Sequence, residues 1–122
     1  MRTIYPIFTY SDARAAIDWL TRAFGFQVHQ VHDAPDGSVA HAELIYDTGM
    51  IMIGRGTGPD PLPAPDQWSV YVAVDDIEAH HARAKAAGAE IVQDLRDTDY
   101  GSRDYSARDL EGYVWSFGTY RA

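Results

Sequence analysis

Apolar positions alternate with polar ones through several short stretches of the chain and switch to a helical spacing in two others. Ile4–Thr9, Phe26–His32, Val39–Tyr46 and Met50–Gly54 have the length and alternation of strands. Between the first two, Ala16, Leu20 and Phe24, with Ile17 beside them, form an apolar stripe that predicts a helix over Asp12–Phe24. Asp12 supplies an N-capping carboxylate and Gly25 a stop. Ala34-Pro35-Asp36-Gly37 and Asp47-Thr48-Gly49 are turn sequences, so the first half reads βαβββ.

The same order returns in the second half. Trp68–Val74 reads as a strand, Ile77–Ala87 as a helix, and Glu90–Leu95, Arg103–Arg108 and Tyr113–Tyr120 as strands, with Asp109-Leu110-Glu111-Gly112 as a turn. Asp97–Ser102 is a longer loop carrying Tyr100. Glycines mark the repeat: Gly25, Gly37, Gly49 and Gly54 recur as Gly88, Gly101, Gly112 and Gly118, displaced by 63, 64, 63 and 64 residues. Asp75 leads to Gly88 over 13 residues, as Asp12 leads to Gly25. Two long copies point to a pseudo-twofold arrangement rather than a solenoid. Residues 1–54 are the first unit, 55–67 a connector whose four prolines forbid regular structure, and 68–122 the second unit, all within one domain.

Composition narrows what such a chain does. At 122 residues it buries a core without staples, and with no cysteine it has neither disulfides nor thiolate chemistry. A net charge of −8 disfavours a nucleic-acid backbone and favours a cationic partner. No leader pattern or bilayer-length apolar run is present, which predicts a cytoplasmic protein with no membrane association.

The repeated βαβββ order, with Tyr100-Gly101-Ser102-Arg103 running on to Asp109-Leu110-Glu111-Gly112-Tyr113-Val114-Trp115-Ser116-Phe117-Gly118, resembles the vicinal oxygen chelate superfamily, specifically its glyoxalase and bleomycin-resistance branch. Relatives more often carry proline where Leu110 stands. The resemblance implies an α+β fold in which two tandem βαβββ units form a curved mixed-sheet cup with the helices on its convex side. It also implies a small-molecule ligand in the cup and a homodimer.

In metal-dependent members of that family, ligands on the first and fourth strands of each unit point into the cup and hold a divalent cation. Counting seven residues back from Asp12 and Asp76 gives Tyr5 and Ser69, and the centres of the last strands give Met52 and Ser116. A phenol, a thioether and two hydroxyls do not replace carboxylates and imidazoles for such an ion, and shifts of one residue bring no better donors. Neither a metal nor another cofactor is expected.

The remaining candidates follow from strand parity. Ser69 and Tyr71 face the cup while Val70, Val72 and Val74 face the helix; Ser116 faces the cup while Tyr113, Trp115 and Phe117 do not. His41 and Glu43 share one face of their strand, as either the two-ligand arm of a displaced metal site or a solvated polar face, whereas His29 and His32 fall on opposite faces and cannot act as a pair. His80 and His81, consecutive on a helix, point in different directions. Arg103 has Asp99 and Asp104 nearby as salt-bridge partners, and Tyr100 sits at the rim. The expected ligand-binding set is therefore Tyr5, Ile7, His41, Glu43, Met52, Ser69, Tyr71, Tyr100 and Ser116. The expected action is metal-free capture of a planar or cationic metabolite or antibiotic, with an enzyme of the same superfamily, a lyase, isomerase or dioxygenase, as the alternative.

Overall fold

The computed structural model describes residues 4–55 and 69–121, with side chains for all of these except Arg55. Two compact units divide the chain, residues 1–62 and residues 63–122. Trp68 and all of the expected connector but Arg55 lie outside the described residues.

In the first unit the order is β1 (Ile7–Tyr10), α1 (Ala13–Phe24), β2 (Gln27–Asp33), β3 (Val39–Tyr46) and β4 (Gly49–Arg55). The sheet order is β1-β4-β3-β2, with β1 parallel to β4 and the other pairs antiparallel. Helix α1 starts where the Asp12 carboxylate accepts from the Ala15 amide at 3.0 Å, and ends where Gly25 turns left-handed at φ 83°. Its stripe of Ala16, Ile17, Leu20, Ala23 and Phe24 is buried, as are Ala42 and Leu44 of β3 and Ile51 and Ile53 of β4. Burying each large aliphatic side chain in this layer contributes about 1.5–3 kcal/mol.

The second unit repeats the plan with β5 (Ser69–Ala73), α2 (Ile77–Ala86), β6 (Glu90–Asp97), β7 (Arg103–Arg108) and β8 (Val114–Gly118), in sheet order β5-β8-β7-β6. Asp76, not Asp75, caps α2 by accepting from the Ala79 amide at 3.1 Å. Asp75 instead meets Arg121 at 3.0 Å. The helix buries only Ile77, His80 and Ala84, so the sheet supplies the bulk of this core through Tyr105, Trp115 and Phe117, all 1% exposed or less. His80 and His81 both pack on that layer: Nδ1 of His80 lies 2.6 Å from the Tyr105 hydroxyl, and the His81 ring meets Tyr105 edge-on.

Three turns share one hydrogen-bond pattern, in which the first amide bonds the fifth carbonyl and the fourth amide bonds the first carbonyl: residues 34–38, 98–102 and 109–113. Each needs a left-handed fourth residue, and Gly37, Gly101 and Gly112 provide it at φ 86°, 87° and 96°. Gly49 has a different task, following a tight turn in which Asp47 takes the positive φ, 52°. The Asp109 turn is anchored further: Oδ1 accepts from the amides of Glu111 and Tyr113 at 3.0 and 3.1 Å, and Oδ2 from Trp115 Nε1 at 3.1 Å. The motif that carried the resemblance thus fixes the entry of β8 and satisfies a buried indole.

Candidate functional site

The face of each sheet turned away from its helix carries most of the candidate side chains, and strand pairing decides which of them meet. In the first unit Ile7 lies beside Met52, and Glu43 lies across from Met52 on the other side. Tyr5 precedes β1 and is 37% exposed, so Ile7, two residues later, is the β1 neighbour of Met52. Ile7 itself is largely exposed and Met52 half-buried.

His41 and Glu43 do share this face, with His41 Nε2 3.2 Å from Glu43 Oε2. His29 joins them, its Nε2 4.0 Å from Glu43 Oε1, and the His32 ring stacks on His41 at 6.0 Å. The expected opposition of His29 and His32 is therefore corrected. A register shift between Val28 and Gln30 leaves His29 without a cross-strand partner. That bulge re-aims side chains that simple alternation would send to opposite faces. The strand's local apolar pattern carries no signal for it.

In the second unit Tyr71 lies beside Ser116, which is paired across the strands with Ser106, and the two serine hydroxyls are 3.0 Å apart. Ser69, at the start of β5, is exposed and lies beside Val114. The Tyr71 hydroxyl donates to Asp104 Oδ1 at 2.9 Å and accepts from the Tyr120 amide at 3.1 Å. Tyr100 donates to Asp104 Oδ2 at 3.3 Å, and Ser102 Oγ donates to Oδ1 at 3.1 Å. Burial of the Tyr71 phenol, reinforced by the hydrogen bond to Asp104 and its negative charge, pushes its pKa above the ordinary 10.0, against the pull of the Tyr120 amide. Its phenol therefore keeps its proton at neutral pH and acts as a hydrogen-bond donor.

The sequence pattern places Tyr71 and Ser116 on this face and Tyr100 at the rim, but does not mark Asp104, Ser106, Gly118 and Tyr120 as their partners. Parity along Arg103–Arg108 held the signal, because Tyr105 and Ala107 are the apolar, helix-facing set and Asp104 and Ser106 are the alternate one. Arg103 pairs with neither Asp99 nor Asp104; it meets Glu78 and Asp97, each at 3.0 Å. Gly118 completes the cluster by what it lacks, since a Cβ there would fall on Asp104 Oδ1 and the Tyr71 hydroxyl. A cavity of about 290 Å³ lies elsewhere in the first unit, lined by Tyr10, Asp12, Arg14, Ser38 and their neighbours. No expected site residue lines it, and Arg14 there is held by Asp33 at 2.7 Å.

The divalent ion of the metal-dependent members of the resembled family finds no matching donors at these strand positions. The β1–β4 and β5–β8 pairings put Ile7 with Met52 and Tyr71 with Ser116. Exchanging Tyr5 for Ile7 and Ser69 for Tyr71 brings in neither carboxylate nor imidazole. Among the described residues no group of three or more His, Asp or Glu side chains is arranged to hold an ion. Residues at these positions do not fit a divalent metal.

Comparison with known proteins places these features in a family. A protein from Mycobacterium bovis of uncharacterized role is 30% identical over 122 aligned residues, covering 93% of this chain and 80% of its own. A putative glyoxylase, CFP32, of the same organism matches over 46% of this chain and 22% of its own length at 37% identity. Among solved structures, TioX from Micromonospora sp. ML1 superposes with a TM-score of 0.81 at 35% identity, covering 99% of this chain and 98% of that one. A glyoxalase I from Zea mays superposes at 0.79 with 19% identity, over 99% of this chain and 46% of that one, and shares the fold. The model of the Glyoxalase/Bleomycin resistance protein/Dioxygenase superfamily matches residues 5–117, and this chain belongs to that superfamily.

Proposed function

We propose that this protein captures a small molecule, a planar or cationic metabolite or antibiotic, without a metal, on the sheet faces turned away from its helices. It does so as a cytoplasmic homodimer. The observation that carries this reading is the donor set: the strand positions where the family's metal chemistry would be built hold Tyr5 or Ile7, Met52, Ser69 or Tyr71, and Ser116. Around them stand solvent-open tyrosine rings, a half-buried thioether and hydroxyls, groups suited to contacting an organic guest. Four further candidates flank them: His41 and Glu43 in the first unit, Tyr100 and Asp104 in the second.

Ligand screening by thermal shift and protein NMR, with and without EDTA, tests the proposal. Expected are hits whose signals map to Met52 on the first unit's face, or to Tyr71 and Ser116 on the second's, and persist in EDTA. Binding that EDTA abolishes and a divalent ion restores overturns it. Sedimentation equilibrium should return twice the chain mass of 13.6 kDa.

A second reading, an enzyme, is favoured by one observation. His41, 3.2 Å from Glu43, has the form of an oriented imidazole base able to move a proton without a metal. Exchange of α-protons of carbonyl compounds into deuterated water, lost in His41→Ala, would support it; no exchange across a broad panel counts against it.

A further inference from the structure

Asp104 is a carboxylate 8% exposed whose described partners, Tyr71, Tyr100 and Ser102, are all neutral hydroxyls. Hydroxyl donors spread a buried negative charge but do not cancel it. Arg96 is its partner across β6 and β7, yet it is exposed and makes no described ion pair with Asp104. Arg103, the adjacent residue, is committed to Glu78 and Asp97.

Tyr71 and Tyr100 bond this carboxylate, Tyr120 packs on both of their rings, and all three rings remain open to solvent, Tyr71 at 41%, Tyr100 at 64% and Tyr120 at 49%. The Tyr120 ring stands edge-on to both others, at 79° and 6.5 Å to Tyr71 and at 87° and 5.7 Å to Tyr100. The arrangement is held in place before any guest arrives. Thr98 and Ser102 lock the loop through amide, carbonyl and hydroxyl contacts of 2.8–3.2 Å, and Gly118 leaves the space in which the Tyr71–Asp104 bond sits. Near-perpendicular aromatic faces beside one net negative charge attract a bulky, weakly hydrated cation through ring quadrupole and Coulomb terms together. A neutral guest of the same shape gains neither.

We infer that Tyr71, Tyr100, Tyr120 and Asp104 form a recognition site for an alkylated ammonium group, tertiary or quaternary, on the captured molecule. This rests on the capture reading above and specifies the chemistry of its second-unit face. Burial raises the pKa of Tyr71, so its phenol stays protonated and keeps donating to Asp104.

The test compares choline with its neutral isostere 3,3-dimethylbutan-1-ol by NMR titration of the tyrosine ring signals. Choline is expected to saturate shifts of Tyr71, Tyr100 and Tyr120 and to bind about tenfold more tightly than the isostere. Tyr120→Leu, at an exposed ring, should weaken choline about fivefold, and Asp104→Asn should erase the preference for choline over the isostere. Equal affinity for the two probes, or Tyr120→Leu binding choline as wild type does, overturns the assignment. Quinoline, planar and uncharged at neutral pH, separates the two readings. Quinoline binding on either face without choline binding overturns the ammonium site and leaves capture standing; no shift with any of the probes counts against both.

Discussion

Gly118 shows how one residue's missing side chain makes room for a site. A Cβ there would collide with Asp104 and Tyr71, whereas one on Gly54, at the matching place in the first unit, would meet only Ile7 Cγ2 at 4.0 Å. Gly118→Ala is therefore expected to cost about 1–3 kcal/mol in chemical denaturation, and Gly54→Ala to stay within about 0.5 kcal/mol. The glycine offset in the sequence made the two look alike. The difference lies in cross-strand neighbours that no local pattern encodes. Tyr71 gives a pH signature at the same scale. Its native pKa lies above the unfolded 10.0, so its contribution to stability is complete below pH 10 and is lost as pH rises through the native value. Stability measured against pH should fall less steeply in that alkaline window for Tyr71→Phe than for the wild type.

Among the elements, helix starts and one turn hold the clearest sequence signals and the most testable energetics. Asp12→Ala and Asp76→Ala each remove an N-cap and are expected to lower stability by about 1 kcal/mol. Asp75→Ala loses only an exposed ion pair with Arg121, and the change should be within about 1 kcal/mol of zero. The adjacent aspartates left that choice open in the sequence, because either fits a cap; the backbone path out of β5 settles it. Asp109→Ala strips acceptors from two amides and the Trp115 indole and should cost about 3 kcal/mol, with a change in near-UV circular dichroism from the indole. Strand existence and face were legible wherever alternation is strict, as in Val39–Tyr46 and Arg103–Arg108. Alternation failed at β2, where the bulge at His29 gathers three histidines and Glu43 on one face.

For the whole molecule, the donor set leads to a direct expectation. Dialysis against EDTA should leave both the thermal midpoint and ligand binding unchanged, and a midpoint lowered by EDTA and restored by one divalent ion would show that a metal is held by other groups. The duplicated βαβββ order, both helices and the identity of the residues at the counted strand positions were determined by the sequence alone, because each depends on local periodicity, capping chemistry or residue identity; the superfamily entered as a resemblance, which the family model bears out. Tertiary structure alone decided which side chains meet: His29 with Glu43, Asp104 with the hydroxyls of Tyr71, Tyr100 and Ser102, and Gly118 against Asp104 and Tyr71. Those meetings depend on strand register and on residues up to 49 positions apart, as for Tyr71 and Tyr120. A strand's own pattern fixes its faces, and only its neighbours fix what stands opposite.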